Sequence, residues 1–576
     1  MRPSDTLTVN FDAGPDKEGP TSWAQLKTFH RRARYPHDRY SSFLTHAVEL
    51  PAGTSRGRLA EAFAALLVTH ESLRTVYPDD GRRQCVLGKG ELTLAVHDVP
   101  DDEGTLAGVL ETLTRSPFDF ARELPLRAAV LAPGGRPVRL VVAYSHIAVD
   151  GEGLRIVTED VHNALAGRGD RNGSGAAQPL ELALEQQSPA WRERNAAALR
   201  HWDKVMERVP QSVLAVPVAT GGDADRYLRG VLESRVVAEA LPVITARTRA
   251  SGSAVMLAAT AAVLAHRAGL PRCALTAIAA NRNTPRTERY VGTIAQDALV
   301  LLTPGDGTFD ALVRQAWTGS LAAYQHSQVH PLDLWDRIAK VGFRRGIRFA
   351  RDCVFNDRSA PGGGVEVSDQ AAPGEGSTIR VQRATFMPVR FFLRVLRTSG
   401  TAEIVLWSDT RYLPEPELRE FLAGLERLLV AAAKEDVPLS RIGDITGVTP
   451  ALRGPQWREI DASLVDVDAV RRLVEMVARG RGSAVFVTDV TDTGEAELVA
   501  YVDTSGTSLT SHSLHQACMA ALPDFDGAIA PTRYVLCDGA PKNSTDEAAW
   551  LSGPVTSTGD GRSLASGETP LAPGDR

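Results

Sequence analysis

The sequence lacks paired cysteines and lacks an excess of positive charge. Its five cysteines are odd in number and far apart, and no two form a CxxC pair, which argues against a disulfide framework or a zinc scaffold. Lysine and arginine number 64 against 70 acidic residues, giving a net charge of −6. Without a global positive field, nucleic acid and anionic membranes are not expected partners. The cysteines are interpreted as core thiols of a protein in a reducing cytoplasm: Cys85, Cys273, Cys353, Cys518 and Cys537.

Long apolar segments are also absent. The first twenty residues carry Asp5, Asp12, Asp16 and Glu18 and no apolar stretch, so no secretory signal is predicted. The most apolar helical run, residues 254–265, is shorter than the ~20 residues of a membrane span and is interpreted as a buried helix. Together these absences predict a cytoplasmic protein.

What is present indicates several globular units. The 576 residues are 43% hydrophobic and 23% charged, which is enough for about three or four domains. A shift to Gly, Ala, Arg and Asn over 163–179 predicts a linker. We therefore predict an N-terminal lobe over 18–165, a second lobe over 180–447 and a smaller unit over 455–550. The Ser-, Thr-, Gly-, Pro- and Asp-rich segment 551–576 is predicted to be a disordered tail.

Hydrophobic periodicity assigns the main helices and strands. Apolar residues repeat at helical spacing over 58–70 and 417–433, which predicts two amphipathic helices. The β-branched run 138–144 predicts a strand buried on both faces, followed by a loop over 145–151 and a helix from Glu152. Further predictions are helical patterns over 180–209, a strand over 274–280, helices over 468–477 and 511–522, and strands over 483–488, 497–502 and 533–537.

The segment 144–151, YSHIAVDG, carries the richest candidate chemistry. His146 follows the predicted strand, Asp150 lies four residues later and Gly151 marks the turn, which places a titratable imidazole at a strand-to-loop junction. The same spacing is also explained by a structural alternative, in which His146 is a core histidine capped by a carboxylate. A Ser145–His146 dyad is geometrically poor, because adjacent side chains of an extended chain point to opposite faces. Two ligands are too few for a metal site.

This segment resembles the HHxxxDG signature of nonribosomal peptide synthetase condensation domains, which belong to the chloramphenicol-acetyltransferase-like acyltransferases. Residues 69–77 (THESLRTVY) are similar to the RHExLRTxF motif of that family, and residues 21–25 (TSWAQ) to its SxAQ motif. Further similarities follow in the same order: Phe118-Asp119 with Pro125-Leu126-Arg127, and Asn281-Arg282 with Val291-Gly292-Thr293. Residues 326–335 and 352–356 match later motifs only loosely.

The resemblance implies a role for each signature residue. His146 is expected in a tunnel between two lobes, where it assists attack of an acceptor on a thioester carried by a carrier protein's phosphopantetheine arm, as a base or by positioning the amine. Asp150 is expected to be structural and to pair with Arg282. Gly151 is expected to allow close approach of the backbone and the arm.

Two positions depart from the family pattern. The first signature histidine is replaced by Ser145, and the resemblance implies that such serines occur both in active members and in platform members that recruit a tailoring oxygenase. Gln296 stands near the place where a later motif has Asn. A catalytic enzyme and a catalytically silent platform are therefore both open at this point.

Residues 455–550 resemble a degenerate C-terminal subdomain of adenylation enzymes. ELVAYV at 497–502 is similar to KLVAYV, and LPDF at 522–525 is similar to LPxYM. The resemblance puts Glu547 at the position of the catalytic lysine of that family, so adenylation is not expected. The run TSGTS at 504–508 is interpreted as a simple loop.

Three other features are interpreted as structural. The glycine-rich run 360–377 fits no phosphate-binding motif and is predicted to be a mobile loop. His326 and His330 are spaced to share a helix face, but no HExxH pattern is present. A basic cluster either faces solvent or meets a carrier protein's acidic surface or the pantetheine phosphate. It comprises Arg31, Arg32, Arg34 and Arg39.

The whole sequence predicts an α/β fold with two chloramphenicol-acetyltransferase-like lobes in a V-shaped pseudo-dimer, plus a small α+β C-terminal subdomain. The expected function is a free-standing condensation enzyme of nonribosomal peptide biosynthesis that forms an amide or ester between a carrier-bound acyl or aminoacyl thioester and an acceptor amine or alcohol. Its acyl donor is expected on the phosphopantetheine arm of a separate carrier protein, with no bound cofactor and no metal. An acyltransferase that uses acyl-CoA needs only the same His-Asp-Gly residues, but the HExLRT-like motif and the adenylation-like subdomain disfavour it.

Overall fold

The structure is a computed structural model that describes residues 2–35, 43–79, 81–168, 175–218, 226–359, 376–489 and 496–563. Its three largest hydrophobic clusters lie one in the N-terminal lobe, one in the second lobe and one in the C-terminal unit. Each core lies between a β-sheet and the helices packed on it, as expected for α/β layers.

The N-terminal lobe is built on a five-stranded sheet with the order β1-β6-β7-β8-β3 and a small sheet β2-β5-β4. Ser55 caps the helix predicted over 58–70, and its hydroxyl accepts a hydrogen bond from the backbone N–H of Arg58 (3.2 Å). The elements are β1 (Asp5–Asp12), β2 (Lys17–Pro20), α1 (Trp23–Arg34), β3 (Phe43–Glu49), α2 (Arg56–Thr69), β4 (Thr75–Val76), β5 (Arg83–Val86), β6 (Lys89–His97), α3 (Glu103–Leu113), β7 (Leu126–Leu131), β8 (Arg139–Ser145) and α4 (Gly151–Leu165).

The second lobe is built on a seven-stranded sheet with the order β11-β10-β12-β14-β15-β9-β13. Its core contains α8, which is buried nearly throughout, as predicted for residues 254–265. The elements are α5 (Pro179–Glu185), α6 (Pro189–Met206), β9 (Tyr227–Ser234), α7 (Arg235–Thr248), α8 (Gly252–Ala268), β10 (Cys273–Ala279), α9 (Pro285–Glu288), β11 (Gln296–Leu302), α10 (Phe309–Gln325), α11 (Pro331–Arg345), β12 (Cys353–Asp357), β13 (Thr378–Arg383), β14 (Phe391–Arg397), β15 (Ala402–Asp409), α12 (Glu415–Lys434) and α13 (Ile442–Thr446).

The C-terminal unit combines a β-hairpin, β16-β17, with a four-stranded sheet of order β18-β19-β20-β21. Its two longer helices and the first three strands of the sheet lie where the hydrophobic pattern predicts them, whereas its short helix over 547–551 was not predicted. The elements are β16 (Trp457–Ile460), β17 (Ser463–Asp466), α14 (Val467–Ala478), β18 (Ser483–Asp489), β19 (Ala496–Asp503), α15 (Ser511–Ala521), β20 (Arg533–Cys537), α16 (Glu547–Leu551) and β21 (Val555–Gly559).

The disordered-tail prediction is wrong for part of the segment 551–576. β21 pairs antiparallel with β20, with Val535 opposite Thr558. The amino-acid composition did not indicate this strand, because β21 is a mostly exposed edge strand with little alternation of apolar and polar residues. Residues 564–576 lie outside the described residues, as do 169–174 of the predicted linker and 360–375 of the predicted glycine-rich loop.

The expectation that His326 and His330 share a helix face is also wrong. His326 is the C-cap of α10, whereas His330 is the N-cap of α11. Pro331 sits at the first position of α11, where its fixed φ favours a helix start. The helical spacing is therefore interrupted between the two histidines.

The units share core residues. Val291, from the second lobe, is buried in the core of the N-terminal lobe. Leu464, from the C-terminal unit, is buried in the second lobe's core, and Ile347 is buried in the C-terminal unit's core. Within the described part of the chain, no single helix has both the length and the hydropathy to cross a membrane, and α7 with α8 reaches that composition only across a 101° bend.

Candidate active site

The turn after β8 presents His146. Ser145 closes this turn, because its carbonyl accepts a hydrogen bond from the N–H of Ala148 (3.0 Å) and its hydroxyl accepts one from the N–H of Ile147 (3.4 Å). Ile147, Ala148 and Val149 are fully buried. The imidazole is therefore fixed at the strand-to-loop junction by neighbours that cannot move without exposing apolar surface.

His146 has an environment that favours its neutral form. The residue is half-buried, and its Nδ1 atom is buried with no hydrogen-bond partner. Burial lowers the pKa of His146, and the charges of Arg31 and Lys27 lower it further, against the opposing effect of Asp150. A neutral imidazole retains a lone pair that can accept a proton.

Asp150 is the most heavily bonded group of the signature. Its carboxylate caps α4 through the N–H of Gly153 (2.9 Å) and accepts backbone hydrogen bonds from Ile294 (3.1 Å) and Ala295 (3.2 Å). Its two oxygens also accept hydrogen bonds from Arg282 at 2.6 and 2.9 Å. Burial opposes ionisation, but the charge of Arg282 and these hydrogen bonds lower the pKa of Asp150. The carboxylate is therefore ionised.

Arg282 reaches Asp150 from the second lobe, as predicted. The exposed fractions of the two side chains are 5% and 3%. The guanidinium also donates to the carbonyl oxygens of Tyr290 (3.0 Å) and Gly292 (3.2 Å). These contacts use most of the guanidinium donors, and the bidentate pair joins the second lobe to the loop that carries His146.

The space next to Gly151 holds an arginine from the second lobe. A Cβ atom at this position would lie 2.7 Å from the guanidinium carbon of Arg358. Arg358 donates to the carbonyl of Gly151 (3.2 Å). Arg358 therefore packs closely against Gly151, and the approach of a pantetheine arm expected there stays a prediction.

The two other family-like motifs of the N-terminal lobe, residues 21–25 and 69–77, make contacts between structural elements. Ser22 caps α1 in a capping box with Gln25, and the Gln25 amide donates to Tyr77 (3.0 Å). His70, from the THESLRTVY segment, hydrogen-bonds Asp160 of α4 (2.9 Å), and Arg289 of the second lobe donates to the same carboxylate (2.8 Å). In the described part of the chain, these motifs therefore hold neighbouring elements together.

Four residues that line the interface were not found from the sequence: Lys27, Asp297, Arg351 and Arg358. Lys27 pairs with Asp297 (2.7 Å), and Arg351 pairs with the same carboxylate (3.2 Å). Lys27 lies one helical turn before Arg31, so the basic face of α1 begins earlier than the predicted arginine cluster. Arg39 of that cluster lies outside the described residues.

Glu547 lies away from this interface, in the C-terminal unit. Its carboxylate accepts a hydrogen bond from the hydroxyl of Tyr501 (3.0 Å). Burial and the Glu547 charge together raise the pKa of Tyr501 to about 12. An acceptor-only carboxylate cannot supply the positive charge of a catalytic lysine.

A comparison with protein families identifies the two-lobe part of the chain. The family model described as "Condensation domain" matches residues 21–340, which include the turn of His146 and Arg282. The chain belongs to the condensation-domain family. This condensation domain is 30% identical over 295 residues to the nonribosomal peptide synthetase kk1B of Curvularia clavata, across 49% of the present chain and 2% of kk1B. The chain thus spans only a small part of that relative's length.

Solved structures confirm the chloramphenicol-acetyltransferase-like fold class of this condensation domain. The condensation domain of the monacolin K polyketide synthase MokA aligns with a TM-score of 0.60 at 17% identity, covering 74% of this chain and all (100%) of that one. The X-domain in its complex with OxyB from teicoplanin biosynthesis aligns with a TM-score of 0.57 at 18% identity, covering 74% and 95% of the two chains. At these identities the likeness is one of fold.

Proposed function

We propose that this condensation domain is an acyltransferase that joins an acyl or aminoacyl thioester, held on a carrier protein's phosphopantetheine arm, to an acceptor amine or alcohol. The observation that carries the proposal is the placement of His146. Its imidazole, whose pKa burial lowers, lies four residues before a buried carboxylate that Arg282 of the other lobe holds in place.

The reaction needs one proton acceptor near the new bond. The acceptor nitrogen or oxygen attacks the thioester carbonyl, its bond to carbon forms, and the carbon–sulfur bond breaks. The proton lost by the acceptor passes to His146, and the departing thiolate takes up a proton to leave as the pantetheine thiol. Proton transfer by a positioned histidine contributes about 100-fold or more to such reactions.

Ser145 is compatible with this chemistry. Its hydroxyl is buried and faces the N–H of Ile147 (3.4 Å), so it closes the turn rather than pointing at a reacting group. Asp150 keeps its ion pair with Arg282 although the first signature histidine is missing. The serine therefore leaves the support of His146 intact.

The test is product formation by His146→Ala compared with wild type. Acyl-loaded carrier proteins and acyl N-acetylcysteamine thioesters are offered with a panel of amines and alcohols, and products are followed by mass spectrometry. We expect His146→Ala to lower turnover about 100-fold or more without loss of folded protein. His162→Ala is the matched control, because His162 is exposed on the neighbouring helix α4. Turnover by His146→Ala at the wild-type rate would refute the proposal.

A catalytically silent platform is the second candidate. Ser145 in place of the first histidine and the likeness to the X-domain bound to OxyB both favour it. A platform would bind a loaded carrier protein and a tailoring enzyme while wild type and His146→Ala give equally little product. Binding measured beside turnover in the same experiment separates the two functions.

A further inference from the structure

Asn281, the residue before Arg282, has an unusual backbone conformation. It lies between β10 and α9 with a φ of 57°, in the left-handed region that few residues other than glycine adopt. Asparagine tolerates this region better than most residues, and Asn281 is buried. Because φ at residue 281 sets the direction of the chain that follows, this conformation directs Arg282 towards Asp150 of the N-terminal lobe.

The side-chain amide of Asn281 connects this turn to the segment before β11. Its Nδ2 donates to the carbonyl of Ile294 (3.1 Å), and the N–H of Ile294 donates to the carboxylate of Asp150 (3.1 Å). Arg282, one residue after Asn281, donates to both oxygens of the same carboxylate. Two segments of the second lobe therefore hold Asp150, and the Asn281 amide joins one segment to the other.

Ser327 fixes the orientation of that amide. The carbonyl of Ile294 can only accept a hydrogen bond, so the amide nitrogen faces it and Oδ1 faces Ser327. The Ser327 hydroxyl donates to this Oδ1 (2.7 Å), with the carbonyl of Tyr324 at 2.8 Å as its other acceptor. Ser327 is fully buried between α10 and α11. Loss of its hydroxyl would leave the buried amide oxygen without a donor among the described residues, which is unfavourable.

We propose that Asn281, oriented by Ser327, is a positioning residue for the condensation reaction. It acts through Arg282 and Ile294, which hold Asp150 and with it the loop that carries His146. The inference rests on the proposed function and extends the support of His146 into the second lobe. A displacement of about 1 Å at a reacting group can lower turnover about 100-fold, so an amide that acts only on the supporting residues can still control the rate.

The first test is turnover by Asn281→Gly in the full-length chain, with the thioester and acceptor that wild type converts. Glycine adopts the left-handed conformation freely, so this variant removes the amide and keeps the backbone. We expect kcat to fall about tenfold or more with little change in KM, because substrate contacts stay in place. Asn281→Asp should lose at least as much, since a carboxylate accepts from Ser327 but cannot donate to Ile294. A wild-type kcat in Asn281→Gly would overturn the inference.

Ser327→Ala tests whether the hydroxyl acts through the amide. Alone it should lower kcat in the same direction, and added to Asn281→Gly it should cause no further loss, because its acceptor is already gone. A loss of equal size in the Asn281→Gly background would overturn the role of Ser327.

Arg249→Gly is the control variant for the glycine substitution. Arg249 also has a φ of 57°, and it is exposed at the end of α7 in the same lobe. It should turn over substrate like wild type, and thermal melting should show every variant folded. An equal loss of kcat in Arg249→Gly would contradict a specific role of Asn281.

A second readout needs no product: the carbon NMR signal of the His146 imidazole in protein with isotope-labelled histidine. The signal is identified by its loss from His146→Ala. In Asn281→Gly we expect it to shift or split, while the signal of His512 in the C-terminal unit keeps its position. An unchanged His146 signal in Asn281→Gly would overturn the inference even where turnover falls. If wild type forms no product, the proposed condensation fails, whereas the His146 signal still decides whether Asn281 positions the loop.

Discussion

Asp150 joins two lobes through one carboxylate that accepts hydrogen bonds from Gly153, Ile294, Ala295 and both terminal nitrogens of Arg282. His146, only four residues away, has a buried Nδ1 with no hydrogen bond at all. The two signature residues therefore differ in what they contribute. Within the described residues, Asp150 is tied to both lobes by hydrogen bonds, whereas the Nδ1 atom of His146 has no partner.

This difference predicts unequal effects on stability. Asp150→Ala leaves Arg282 buried without its counter-charge, which costs about 3–5 kcal/mol in the free energy of unfolding. Asp150→Asn should cost less, because an amide oxygen still accepts backbone hydrogen bonds. His146→Ala removes no hydrogen bond to another described residue at the buried Nδ1 atom and should cost least. Thermal melting and urea denaturation give the order, and equal stability of Asp150→Ala and His146→Ala would contradict the structural role of Asp150.

Some residues of the candidate site could be predicted from the sequence, and others could not. His146, Asp150 and Gly151 occupy one short segment, and Arg282 stands in a motif of its own, so the resemblance of these motifs to a known family implied all four residues and the pair of Asp150 with Arg282. Lys27, Asp297 and Arg351 are separated by hundreds of residues and meet only because α1 packs against the second lobe. The spacing of residues within one segment cannot predict a contact between such distant segments. Arg358 was missed for the same reason.

At the scale of elements, predicted and observed boundaries agree to within a few residues where the apolar pattern is strong. The helix predicted over 417–433 is α12, which begins just after Pro414 and ends at Lys434. The helical region predicted over 180–209 is two helices, and Ser188 with Pro189 starts the second. β21 was missed because pairing with β20, rather than its own apolar pattern, makes it a strand.

The contact of α15 with α11 contains a buried histidine that should make stability depend on pH. His515 Nε2 donates to the carbonyl of Phe343 (2.8 Å), and Nδ1 accepts from the hydroxyl of Tyr534 (3.3 Å). Burial lowers the pKa of His515 to about 4, and the Phe343 carbonyl opposes that shift. Arg562 and His512 also lower this pKa, and Asp560 raises it.

The sign follows from the unfolded pKa of about 6.5. Above pH 6.5 the histidine is neutral in both states and its burial carries no protonation cost. As the pH falls from 6.5 towards 4, only the unfolded chain takes up the proton, so up to about 3 kcal/mol of stability is lost. Urea denaturation at several pH values should show this loss. His515→Gln should flatten the dependence, His512→Gln should keep it, and an identical slope in His515→Gln would contradict the assignment.

At the scale of the whole molecule, the C-terminal unit is fastened to the second lobe by main-chain as well as side-chain contacts. Arg345 pairs with Asp461 (2.9 Å), and the N–H of Ala530 donates to the carbonyl of Gly346 (2.7 Å). Leu464 contributes to the second lobe's core. These contacts indicate a structural partnership, consistent with the absence of a lysine at Glu547.

Removal of the C-terminal unit should therefore harm the lobes. A chain ending at Gly454 exposes Phe343 and Ile347, which are 2% and 1% exposed in the full chain. We expect aggregation or a lowered melting temperature, measured by light scattering and calorimetry. ATP–pyrophosphate exchange should be absent from the full chain and the truncated one alike. A monomeric truncated chain with unchanged melting would refute the structural role, and exchange seen only with the full chain would establish adenylation.

The ion pair of Asp150 with Arg282 means that the candidate site is assembled from both lobes. The histidine and the carboxylate come from one lobe, while the arginine and two of the amides come from the other. Neither half alone contains a complete site, so the site is a property of their alignment. A small separation of the lobes would break the contacts of Asp150 with Arg282, Ile294 and Ala295 while leaving His146 itself in place. Closing the lobes would restore those contacts. The proposed site is therefore complete only at one spacing of the two lobes.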